Sequence, residues 1–147
     1  IKDPHVMCEN MSDYDMMAFS HWERSCAYEE LGAISDRELD DPKSIREQLK
    51  YFYLENFPRN YGLYELPCFI RKNNKLTKEM GLMWWEMICR FTSRDQTTFP
   101  YVLWKMNKIK INNLGSGANC TPLCSIQEAV EGRHSGNPFF FASGLLS

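Results

Sequence analysis

"KLTKEMGLMWWEMICRFTSRDQTTFPYVLWKMN" (75–107) is the stretch on which the fold turns. Met80, Met83, Trp84, Met87, Ile88 and Phe91 recur at three and four residues, so a helix over 75–91 presents one apolar stripe to a core. Arg94, Asp95 and Gln96 then open a second amphipathic run, and Pro100 falls where that helix should be starting. Asp95 near a helix start is placed to accept backbone N–H bonds and to meet the positive end of the helix dipole. Capping does not require Arg94 or Gln96. With Asp95 they offer a guanidinium fork, a carboxylate and an amide, the groups that hold hydroxyl-rich sugars or diphosphates. From residue types alone a plain cap and a ligand-facing triplet stand level.

Upstream, "DDPKSIREQLKYFYLENF" (40–57) carries the clearest helix start, with Asp41 as cap and Pro42 at the first helical position. Ile45, Leu49, Phe52 and Tyr53 share one face at helical spacing. "ERSCAYEELGAI" (23–34) is helix-forming. "DYDMMAFSH" (13–21) holds an apolar run, Met16 to Phe19, of a length that suits a buried strand. Leu63 to Arg71 runs extended, and Pro67 argues against an uninterrupted central strand there.

Downstream, "KIKI" (108–111) reads as a short strand. The stretch "NNLGSGANCTPLCS" (112–125) is rich in Gly, Asn and Ser and reads as loop. "NPFFFASGLL" (137–146) is apolar enough to dock on another surface. Helices alternating with short strands predict an α/β layered domain over 1–112, followed by an irregular segment over 113–147.

Bulk properties narrow the classes of function. The 147 residues suffice for one core, and 44% hydrophobic with 24% charged residues is ordinary globular usage. A net charge of −2 and a pI near 5.9 argue against a nucleic-acid partner, which demands a basic face. No apolar run approaches the roughly 20 residues that span a bilayer, and "IKDPHVMCEN" (1–10) has no export-signal core. Because the chain opens on Ile1, we expect a processed product or a piece of a longer protein. Among six cysteines, Cys68 and Cys89 read as buried thiols, and Cys120 with Cys124 could close a small disulfide loop. Sequons at Asn10 and Asn119 matter only in a secretory compartment, and the compartment stays open.

Several common chemistries have no local support. There is no GxGxxG or GxxxxGK[ST] phosphate cradle and no GxSxG nucleophile elbow. Asp13-Tyr14-Asp15 is a D-x-D, the spacing by which two carboxylates hold a divalent ion. It precedes its apolar strand instead of ending it, so a solvated turn is favoured. His5, Cys8, His21 and Cys26 superficially resemble a zinc set in an unusual order.

"HWERSCAYEE" (21–30), "YGLYELPCFIRKNN" (61–74) and "WWEMICRFTSRDQTTFPYVLWK" (84–105), in that order and spacing, resemble a glycosyltransferase-like family of GT-A type. That family includes plant Golgi proteins, bacterial polysaccharide-biosynthesis proteins and chlorovirus sugar transferases. The resemblance covers roughly residues 13–107 and implies a nucleotide-sugar donor, a manganese or magnesium ion and a hydroxyl acceptor such as a glycan. It places Asp95 on sugar hydroxyls, Gln96 near the anomeric carbon and Arg94 near phosphate or sugar. His21 becomes a pocket residue or metal neighbour. The same motifs carry Arg24, Glu29, Glu30, Glu65 and Arg71. Members of this type take their metal carboxylates from a D-x-D in an N-terminal half, so the chain resembles the C-terminal, acceptor-side portion of the fold. Inverting chemistry would use Asp95, Glu65 or Glu30 as base, whereas retaining chemistry would lean on Gln96. A non-catalytic carbohydrate-binding module and a small zinc-stabilised protein are the alternatives.

Overall fold

The computed structural model describes residues 11–116. A three-stranded mixed sheet has β1 (Met16–Ser20) at its centre, antiparallel to β2 (Tyr64–Arg71) and parallel to β3 (Ile111–Ser116). Four helices flank it: α1 (Ala27–Asp36), α2 (Pro42–Leu54), α3 (Lys75–Arg90) and α4 (Asp95–Met106). Met16 to Phe19 are all buried, as a strand covered on both faces requires. Proline, lacking an N–H, is confined to sheet edges or bulges. Pro67 duly lies on edge strand β2, where the β1–β2 register shifts between Met17 and Phe19.

The helix signals hold with local adjustments. Asp41 caps α2, accepting the Ser44 N–H at 2.8 Å, with Pro42 in the first turn. Asn74 and Thr77 form a reciprocal capping box at the start of α3. The first helix begins at Ala27, after the Arg24–Cys26 stretch has been drawn into other contacts. Pro100 sits buried inside α4 rather than at its start. A proline cannot donate to the carbonyl four residues back, here that of Gln96. The Thr97 and Thr98 hydroxyls bond the Arg94 and Asp95 carbonyls at 2.8 and 3.1 Å and tighten this first turn. Left-handed Asn107 (φ 49°) ends the helix.

Four expectations are corrected. The strand expected at "KIKI" runs instead over Ile111–Ser116, through residues whose Gly and Asn content reads as loop. Pairing with the fully buried β1 overrides that weak propensity. Cys89 is exposed on α3, and Tyr53 is exposed rather than part of the α2 core face. The fully buried polar residue on that face is Gln48. Its side-chain oxygen accepts from the Thr92 hydroxyl (2.7 Å) and N–H (3.3 Å), and its nitrogen donates to the Thr97 hydroxyl (2.9 Å). Gln48 thereby ties α2 to the turn that leads into α4.

An aromatic cluster fills the adjoining core. Phe52 and Tyr101 stack at 5.3 Å, and Phe57 meets both edge-on. Burial and the neighbouring Tyr51 hydroxyl push the Tyr101 phenol well above its ordinary pKa. His5, Cys8, Cys120, Cys124, the Asn119 sequon and the apolar stretch 137–146 lie outside the described residues. Among the described residues, no helix is long and apolar enough to cross a membrane.

Candidate functional site

The polar residues at the C-terminal end of β1 converge on one another. His21 leaves the strand, and its backbone N–H donates to the Leu63 carbonyl at 2.8 Å, prolonging the β1–β2 pairing. Its Nδ1 accepts the backbone N–H groups of Glu23 (3.1 Å) and Arg24 (3.0 Å), which closes a tight turn. With two donors aimed at Nδ1, the ring proton of the neutral imidazole is assigned to Nε2. That nitrogen faces Glu65 Oε1 at 3.4 Å and Glu30 Oε2 at 3.8 Å.

Each carboxylate has a different environment. Glu30, on the first turn of α1, is buried, and burying a lone charge is costly unless it is paired. Arg24 Nε supplies the pair at 2.5 Å, and Arg24 Nη1 also holds Glu23 Oε2 at 2.7 Å. The hydrogen bond from Arg24 to Glu30 raises the arginine pKa above its ordinary value. Glu65, on β2 opposite Phe19, accepts the Gln96 side-chain amide on Oε2 at 2.9 Å. Its neighbours are thus the Gln96 amide and the His21 ring. Among the described residues no lysine or arginine pairs with it. Its side chain keeps 21% of its exposure, so of the two carboxylates that face His21 it is the more open to solvent, Glu30 keeping 10%.

The sequence-derived candidates therefore divide. Arg24, His21, Glu30, Glu65 and Gln96 form one continuous chain, joined by Glu23, whose position beside Arg24 was the available clue. Arg94 turns elsewhere: it is the N-cap residue of α4, makes no side-chain cap, and donates to the Leu39 carbonyl at 3.3 Å. Next to it Asp40 binds the Ser93 N–H and hydroxyl, both at 2.8 Å. Burial alone would push the Asp40 carboxyl up, but these donors, the Asp41 N–H and the Arg94 charge hold it below its usual range. Arg71 is exposed and braces α3, donating to the Thr77 carbonyl at 2.9 Å. Glu29 is exposed on α1. Neither bonds to the network.

Asp95 is the first residue of α4, not its cap, and its carboxylate accepts the Gln96 backbone N–H at 2.9 Å. Burial raises its pKa above the ordinary 3.8, against the lowering by that hydrogen bond. An acid with a raised folded-state pKa loses stability as pH climbs from the unfolded value through the folded one. Asp95→Asn is therefore expected to melt higher than the parent at pH 7, with the gain vanishing near pH 3. Thermal melts at the two pH values check this, and a lower melting temperature at pH 7 would refute it.

The implied metal can be tested against these donors. Asp13 lies exposed in a turn, and Asp15 bonds the Lys110 N–H at 2.9 Å, clasping β1 to β3. Cys26 is buried in the core. A metal at His21 would need the Nε2 lone pair, which requires moving the ring proton to Nδ1 against two backbone donors. No group of His, Cys, Asp or Glu among the described residues is arranged to hold a metal ion. The described donors thus form no cluster for manganese or magnesium, and His5 and Cys8 of the zinc set lie outside the described residues.

No curated protein and no solved structure matches the chain significantly. A family model does: the TOD1/MUCI70 glycosyltransferase-like domain matches residues 2–123. With that match spanning the three quoted motifs and all of the described strands and helices, the chain belongs to the TOD1/MUCI70 glycosyltransferase-like domain family.

Proposed function

We propose that the domain transfers a hexosyl group from a nucleotide-sugar donor to a hydroxyl acceptor, with Glu65 as the proton acceptor. The observation that carries this is the state of Glu65: a carboxylate with no lysine or arginine partner among the described residues, held on Oε2 by the Gln96 amide, faced on Oε1 by His21 and still partly open to solvent. A general base must be both oriented and reachable. Glu30 is the poorer choice because Arg24 neutralises it, and Asp95 is the poorer one because its carboxylate is spent on the start of α4.

In the proposed step the acceptor hydroxyl oxygen bonds to the anomeric carbon and its proton passes to Glu65. The bond from that carbon to the leaving diphosphate oxygen breaks. This is a single displacement and inverts the anomeric configuration. Gln96 acts through Glu65 as a positioning residue, and the second oxygen faces His21 Nε2 at 3.4 Å. Asp95, with Oδ1 held by the Gln96 N–H, would accept a sugar hydroxyl on its other carboxylate oxygen at the mouth of α4. Any divalent ion would be held by residues other than these.

Calorimetric titration with a panel of nucleotide sugars, with and without manganese, is the test. Binding of one donor, followed by NMR detection of an inverted product, is the expected result. Binding of free glycans with no engagement of any nucleotide sugar would overturn transfer and favour a carbohydrate-binding module. The manganese arm reports whether an ion contributes from outside the network.

A further inference from the structure

Trp22 stands on the turn that carries His21 and Arg24, and 63% of it is exposed. A single exposed hydrophobic residue means little by itself. Two further observations set this one apart.

The first is rigidity. The His21 N–H bonds the Leu63 carbonyl at 2.8 Å, and the Gly62 N–H bonds the Ser25 carbonyl at 3.0 Å, so the turn is tied at both ends to the segment entering β2. Inside the turn, His21 Nδ1 holds the Glu23 and Arg24 N–H groups. The indole also lies nearly parallel to the His21 ring, at 11° with centroids 6.3 Å apart. A large flat surface is thus carried into water on a braced turn, so a ligand that meets it need not order that backbone.

The second is placement. The ring stacked beside Trp22 is the one whose Nε2 faces Glu65. The face of an indole is electron-rich, and a pyranose has one face of weakly polarised C–H bonds with hydroxyls around its rim. A plane for that face beside an anionic acceptor for a rim hydroxyl supplies both parts of sugar recognition. Trp85, with 61% exposed, is the internal comparison: it lies on α3 near exposed Leu82 and has no hydrogen bond or ring contact to the network among the described residues.

We infer that Trp22 is a stacking platform for a pyranose ring at this site, one with a continuous C–H face such as a β-glucoside or β-galactoside. The inference rests on the transfer site being at Glu65. The ring could come from the donor or the acceptor, so both are used as probes.

Saturation-transfer NMR on the full chain with methyl β-glucopyranoside, methyl β-galactopyranoside and their UDP-sugar counterparts provides the test. Signal confined to one ring face is expected, with affinity at least tenfold weaker in Trp22→Ala, mostly restored in Trp22→Phe and unchanged in Trp85→Ala. A response from the methyl glycosides assigns the platform to the acceptor, and a response from the UDP-sugars alone assigns it to the donor. Affinity in Trp22→Ala within twofold of the parent, or no transfer to any probe, would overturn the platform. If Glu65→Gln weakens binding and Trp22→Ala does not, the platform falls and the Glu65 site stands. The reverse pattern keeps the platform and removes the sugar from Glu65.

Discussion

Replacing Glu65 with glutamine is expected to lower transfer turnover by about 10²–10⁴-fold, the usual range for loss of a positioned general base. The substitution is close to isosteric. A glutamine oxygen can still accept from the Gln96 amide, so the contact between β2 and α4 survives. The carboxylate charge does not, and an amide cannot take a proton from an acceptor hydroxyl at neutral pH. Because no lysine or arginine among the described residues is left unpaired by the change, the melting temperature should stay close to that of the parent. Gln96→Ala should give a smaller loss, since Glu65 keeps its base and loses one orienting bond. The comparison needs turnover and melting curves for both variants, with the donor that titration identifies. Turnover in Glu65→Gln within threefold of the parent would remove Glu65 from the chemistry.

Gln48→Ala should give the largest loss of stability, about 2–4 kcal/mol. Two terms add. The side chain is fully buried, so truncation opens a cavity in a packed interior. It also strands the Thr92 N–H and strips a partner from the Thr92 and Thr97 hydroxyls, which cannot reach water. Gln48→Leu restores the volume and not the bonds, so it should recover part of the loss and separate the two terms. Denaturant titration of both variants and of Thr92→Val measures this, and a double-mutant cycle gives the coupling. A cost below about 1 kcal/mol for Gln48→Ala would mean that the threonines re-pair without Gln48.

How much of this was legible depended on what each residue had to signal. Met16 to Phe19 follows from an unbroken apolar run and the α3 stripe from hydrophobic period, and Asp41-Pro42 and Pro67 carry backbone constraints that the fold respects. Gln48 was hidden because a glutamine reads as solvent-facing until its partners, more than forty residues away in sequence, are known. Pro100 misled because a buried helix tolerates a missing donor when packing holds the segment. At the site, nothing in the spacing of His21, Arg24, Glu30, Glu65 and Gln96 announces that they meet. Residue types nominated Gln96 and Arg94, and family resemblance the others with Arg71, yet Arg71 and Arg94 serve α3 and the link between Leu39 and α4. Arginine types and motif membership could not separate those roles. Distances could.

The parallel pairing of β1 with β3 has a consequence for how the chain acquires its fold. Asp15 and Lys110 meet although they stand 95 positions apart in sequence, and contacts of such high order form late because a long loop must close first. On the ribosome, β1 emerges early and can pair with β2, but its other edge waits until residue 116 has been made. During that interval Met16, Met17 and Phe19 have one unpaired flank, the type of apolar strand edge that seeds association with other chains. Productive synthesis of this domain therefore depends on keeping that flank covered until β3 arrives.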